Sequence, residues 1–265
     1  MSTSLHKKLN VKNLHIDSLM KPDDSAVYSN AVKDLNLFIR KSSRHLMPNC
    51  FQCNEYSLKE ELTNGITHGI GAGLALIGLI TLLFTAIRYG DIWHIVSAAI
   101  YGSSLILLYL ASAFYHLFSP HGLKKFFQKL DHLMIYVLIA GTYTPFTLVT
   151  LQGTWGWTLF GLVWGMALCG LLLELVLKKR IEWLSLTFYL GMGWLLLIAI
   201  RPLAVSLATG GLILLLTGGL LYTFGVVFYV WKNLSYSHAI WHLFVMAAST
   251  AHFFAILFYV MPSTA

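Results

Sequence analysis

The stretch HAIWHLFVMAASTAHFFAILFYV, residues 238–260, carries no Lys, Arg, Asp or Glu. It is as long as the roughly 20 apolar residues that a helix needs to cross a bilayer. It also opens on two histidines. Positions i and i+4 of a helix share a face, so His238 and His242 can hold one metal ion between them, as paired histidines do on other metal-binding helices. One segment thus points both to a membrane fold and to a chemistry.

Six more segments of this kind precede it, at about 66–87, 93–118, 132–151, 155–177, 183–200 and 210–231. The chain is 57% hydrophobic and 11% charged, with a mean hydropathy of +0.69, where a soluble domain carries about 25% charged residues. Pro, Gly or charge separates each segment from the next. These features predict an all-α membrane protein, a seven-transmembrane helix bundle spanning residues 57–265. Residues 1–56 read as a polar, partly disordered cytoplasmic tail without a secretory signal. Within that tail, residues 31–40 could form a short surface helix or a linker. Cys50 and Cys53 form a lone CxxC with only His45 nearby, short of the four ligands a zinc site takes. Cys169 reads as a packing residue. Gly65, Gly69 and Gly73 suggest a small-residue stripe for close helix approach.

Orientation follows from charge. With seven spans, all but Arg88 and Arg201 of the eighteen Lys and Arg residues fall on the tail side. The positive-inside rule therefore places the N-terminus in the cytoplasm and the C-terminus outside. The net charge of +7 suits an anionic leaflet and calls for no nucleic acid. In a bacterium the membrane would be the plasma membrane.

This topology brings distant residues to one depth. His116 lies near the cytoplasmic end of the second span, with Ser112 one turn deeper. Asp131 stands at the expected start of the third span, and Glu61, Asn64 and His68 share one face of the first. Ionisable groups inside a bilayer are costly unless they face a cavity and have partners. His116 with His238 and His242 would give zinc three histidines and an open fourth position. Asp131 could act on water or support a ligand, or merely cap its helix. Ser112 could join the site or bond back to its own backbone. Glu61, Asn64 and His68 could bind the ligands from behind, or be a capped helix start with a satisfied histidine. His252 lies about 15 Å beyond His242, too far to share a metal. Glu174 is expected to pair with Lys178 and snorkel.

Five motifs in order carry a resemblance: ELTNGITHGIG at 61–71, SAFYH at 112–116, KLDH at 129–132, GTYTP at 141–145 and HAIWH at 238–242. Over about residues 57–260 the chain resembles the haemolysin III branch of the progestin and adipoQ receptor superfamily. The resemblance implies zinc held by His116, His238 and His242 near the cytoplasmic leaflet, with Asp131 and Ser112 at the family's aspartate and serine. It also implies hydrolysis of lipid amides, or the membrane damage suggested by the haemolysin name.

Two classes of function result. One is a zinc-dependent hydrolase of a membrane lipid amide or ester, with Asp131 accepting a proton and Ser112 positioning water or an oxyanion. The other is a non-enzymatic receptor-like or pore-forming protein with a structural zinc. A serine-hydrolase triad of Ser112, His116 and Asp131 ranks lower, because it leaves His238 and His242 without a task.

Overall fold

The computed structural model describes residues 56–118, 120–177 and 180–261. The 31–40 segment, read as a short surface helix or a linker, and the Cys50, Cys53 and His45 group lie outside the described residues, as does Lys178. Seven helical spans run Leu58–Tyr89, Ile92–Leu117, Gly122–Leu151, Gly153–Val176, Glu182–Ser206, Thr209–Val230 and Ser237–Tyr259. The chain is an integral multi-pass membrane protein. The first span packs against the second and seventh, the second against the third, the third against the fourth and fifth, and the sixth against the seventh. Trp194 of the fifth span bonds Thr223 of the sixth at 3.1 Å, which closes the ring.

Large apolar side chains such as Ile77, Phe84, Ile213 and Phe224 point outward. In a soluble protein such a surface would aggregate, but here it meets lipid. Exposed Trp93, Trp155 and Trp157 ring one end, and Trp183 and Trp231 the other, as interfacial aromatics do.

The first helix starts earlier than its apolar run. Ser57 caps it in a box with Glu60, each side chain bonding the other's backbone N–H, which satisfies donors left open at a helix start. The third helix also starts earlier, at His121. Charged Lys124, Lys125 and Lys129 end a hydropathy run but remain good helix formers, and Phe127 packs on Phe114 and Phe118 of the second span. Asp131 is therefore ten residues inside a helix and does not cap one.

Two helices are broken away from the tail-side end. After Pro145, which has no N–H to donate, the third span ends in a π-helical turn at Phe146–Leu151. The fifth passes through a 3₁₀ stretch at Leu195–Ala199. There the Tyr143 hydroxyl donates to Gly193 O at 2.9 Å and accepts from Leu196 N at 2.9 Å. One side chain thus satisfies both backbone groups freed by the break.

The expected glycine stripe is corrected. A Cβ on Gly65 would strike Leu117, but Gly69 and Gly73 face open space. The buried small residues of the first span are Gly65, Gly71, Ala72, Ala75, Gly78 and Ala86. Strict four-residue spacing drifts around a helix of 3.6 residues per turn, whereas alternating threes and fours hold one face.

Candidate metal centre

The tail-side ends of the first, second, third and seventh spans converge on a layer of buried polar side chains. The second span delivers Ser112 and His116 one turn apart, the seventh His238 and His242, and the first Asn64 and His68, all of them buried. Glu61, Asn64 and His68 fall on one face of the first helix and turn it toward the ring's interior.

The coordinating atoms of His116, His238 and His242 all lie within 4.8 Å of one another. Contacts behind the rings of His116 and His242 select which nitrogen each of these two offers. His116 Nδ1 is 2.7 Å from Glu61 Oε2, and the other Glu61 oxygen accepts from Lys124 Nζ at 2.7 Å. This leaves His116 Nε2 buried without a partner. His242 Nδ1 is 3.2 Å from both Thr67 Oγ1 and Asn64 O, leaving Nε2 available. Both nitrogens of His238 are buried without a partner. Bare imidazole nitrogens facing one another in an apolar bundle are costly unless something binds them. Three such nitrogens at this separation fit a tetrahedral metal ion with one open position, and the Glu61 carboxylate behind His116 is the usual support for a metal-bound histidine.

Aromatic rings wall the cradle. Tyr56 lies 5.1 Å from the His238 ring and 6.2 Å from that of His116. Tyr229 is 6.1 Å from His238, and Tyr115 is 4.4 Å from His116. The seventh helix is set by Tyr236 just before it, in a left-handed conformation at φ 59°. The Glu60 carboxylate accepts the Tyr236 N–H at 2.9 Å and ties that turn to the start of the first span.

Asp131 faces this layer from the third span. Its carboxyl lies close to Ser112 and within electrostatic reach of His116 and Arg180. Ser112 Oγ nevertheless has no well-formed hydrogen bond. A serine-hydrolase triad is not assembled, since the nitrogen of His116 that would face its carboxylate is held by Glu61. Glu61 reaches a ligand through its side chain, as a support should. Asn64 meets His242 through its backbone carbonyl, and His68 stacks on its ring, with centroids 3.5 Å apart and 11° between planes, without a well-formed hydrogen bond of its own. His252 is buried elsewhere, 3.1 Å from Leu215 O.

A second polar cluster beside the cradle was missed by sequence reasoning. Glu174 takes a hydrogen bond from Arg180 at 3.2 Å and one from Ser185 at 2.6 Å. Arg180 also reaches His132 at 2.9 Å and the Tyr229 hydroxyl at 3.0 Å, while Tyr189 bonds His132 O at 3.0 Å. Arg180 thereby links the third, fourth and sixth spans, within electrostatic reach of Asp131. Its place among loop cations hid it, and the only available signal was an acid inside the fourth span.

A ring of seven apolar helices around a buried three-histidine cradle at one end defines a membrane protein with a candidate intramembrane metal centre. Residues 56–253 match the family described as haemolysin-III related. The chain is 48% identical over 204 residues to a hemolysin-3 homolog of Bacillus subtilis (strain 168), covering 77% of this chain and 96% of the relative. It is 46% identical over 206 residues to hemolysin-3 of Bacillus cereus, covering 78% and 94%. It is 30% identical over 210 residues to the human monocyte to macrophage differentiation factor, covering 77% and 86%. The protein belongs to the haemolysin III branch of the progestin and adipoQ receptor superfamily.

Proposed function

We propose that the protein is a zinc-dependent hydrolase of a lipid amide or ester, with its site at the cytoplasmic leaflet. The observation that carries this reading is the set of buried, inward-facing nitrogens of His116, His238 and His242, with Asp131 and Ser112 beside them. Bound zinc supplies Lewis acidity toward a carbonyl and makes water a stronger acid near neutral pH. Glu61 holds the His116 ring so that Nε2 faces inward, and Lys124 holds Glu61 in turn. Asp131 takes up a proton as water attacks and returns it to the leaving nitrogen or oxygen as the C–N or C–O bond breaks, and the Ser112 hydroxyl orients the water or the developing oxyanion. The tyrosine walls and the apolar bundle below exclude bulk water, which strengthens each of these interactions. The layer's depth suits a substrate that enters sideways from the leaflet.

The hemolysin names of the bacterial relatives suggest membrane damage as a second reading. Against a pore, the interior below the polar layer is closed by Leu105, Leu108, Leu138 and Val245, which offer no polar lining for an aqueous path.

The test pairs elemental analysis of the purified protein with turnover of labelled lipid amides and esters in vesicles. Wild type should carry about one zinc per chain and release fatty acid, and His116→Ala should lose both. Turnover that survives without zinc would sink the zinc-dependent reading. Dye leakage from the vesicles that is indifferent to all three histidines would favour the pore.

A further inference from the structure

The tail-side layer holds more unpaired polar atoms than a metal cradle requires. Asn64 is fully buried, and neither its carboxamide oxygen nor its nitrogen has a partner. His68 is 3% exposed, and both its ring nitrogens are likewise unpartnered. Neither residue belongs to the group whose atoms converge within coordinating distance. Three metal ligands leave them unexplained.

Their position is well determined. Asn64 lies three residues after Glu61, which touches His116, and four before His68, which stacks on His242. It therefore sits on the same helix face, between two ligand histidines. Its neighbour Gly65 packs on Leu117 and Ala113, and Gly71 on Tyr109, so in this antiparallel pair Asn64 stands level with His116 of the second span, and His68 with Ser112. His68 lies one turn deeper, with the edge of Tyr109 against it at 5.0 Å. A buried carboxamide that forgoes its hydrogen bonds is destabilising, and a leucine of similar volume would pack there at lower cost.

We propose that Asn64 and His68 form a recognition subsite beside the metal cradle, which takes a substrate group able both to donate and to accept a hydrogen bond. A carboxamide offers one face of each kind, and a neutral imidazole offers one nitrogen of each kind. In a lipid, the amide next to the reacting carbonyl or a neighbouring hydroxyl supplies the match. An ester only accepts, so it leaves the Asn64 oxygen unpaired. A site built to bond an N–H or O–H rejects the analogue without it far more strongly than an apolar pocket does. The inference rests on the hydrolase reading for where the substrate lies, and it adds selectivity for amide or hydroxyl over simple ester.

The experiment measures binding to the full-length, zinc-loaded protein in nanodiscs of N-ethyl dodecanamide, ethyl dodecanoate and N-(2-hydroxyethyl)dodecanamide, with products followed in parallel. Wild type is expected to bind an amide at least about tenfold more tightly than the ester. Asn64→Leu and the smaller Asn64→Ser should each abolish that preference while zinc content is retained. His68→Leu should weaken it. If only the hydroxyethyl amide is preferred, the hydroxyl is the group read. No preference in wild type, or one that survives both Asn64 variants with zinc bound, overturns the subsite. An intact amide preference without hydrolysis of any probe would instead refute the hydrolase reading and leave the subsite standing.

Discussion

The two halves of the bundle differ in how many of their buried polar groups find partners. Away from the tail, most polar side chains complete one another: Tyr143 closes the break in the fifth span, Trp164 donates to Thr144 at 3.2 Å, and His252 Nε2 bonds Leu215 O, although Ser97 Oγ, Thr150 Oγ1 and His252 Nδ1 are buried there without a partner. At the tail side, Asn64, His68, Ser112, His116 and His238 keep buried atoms without protein partners. Both halves sit in the same apolar surroundings, so an unmatched polar atom is equally unfavourable in either. The difference is one of concentration: on the tail side the unmatched atoms belong to residues gathered around the three convergent histidines.

The largest separation between the halves should appear in metal affinity. Glu61→Gln keeps the shape of the side chain but removes the charge behind His116. It should weaken zinc binding by about 10–100-fold, read by competition with a chromophoric chelator, while unfolding of the apo protein changes little. Affinity equal to wild type would mean that the Glu61–His116 contact does not tune the centre.

Tyr143→Phe should do the reverse. Loss of the hydroxyl strands Gly193 O and Leu196 N at the 3₁₀ break and should cost about 1–3 kcal/mol of stability, measured by unfolding in mixed micelles. Zinc content should hold. Metal loss in this variant would show that the halves are coupled.

The smallest effect belongs to Asp91, which caps the second span at the far end. Hydrogen bonds from the His94 side chain and backbone hold its carboxyl below the usual aspartate range. A lowered folded value means that the contribution is complete above the ordinary aspartate pKa and is lost as pH falls through the lowered one. Asp91→Ala should therefore cost less than about 1 kcal/mol at neutral pH, because the site is exposed. The difference from wild type should vanish in strong acid.

Much of this contrast was legible in the chain. Hydropathy runs revealed seven spans, because a bilayer demands length and apolarity that no soluble helix sustains. The spacing of His238 and His242 marked one face of one helix. Helix ends were less legible: Ser57 to Asn64 and His121 to Lys129 are polar, and apolar counting stops where backbone hydrogen bonding continues. The glycine stripe misled for a related reason, since regular spacing in sequence is not constant direction on a helix.

By itself, then, the sequence determined the class of fold, the number of crossings and the candidate ligands, because these depend on local composition and helical period. Only the tertiary structure decided which helices are neighbours. It placed Glu61 behind His116, Thr67 behind His242 and Arg180 between Glu174 and His132, contacts that, Arg180 with Glu174 excepted, join residues far apart in the chain. It also separated satisfied polar groups from unsatisfied ones. That distinction is a property of packing, because a side chain's partner is set by the helix that lies against it and not by its own neighbours in sequence.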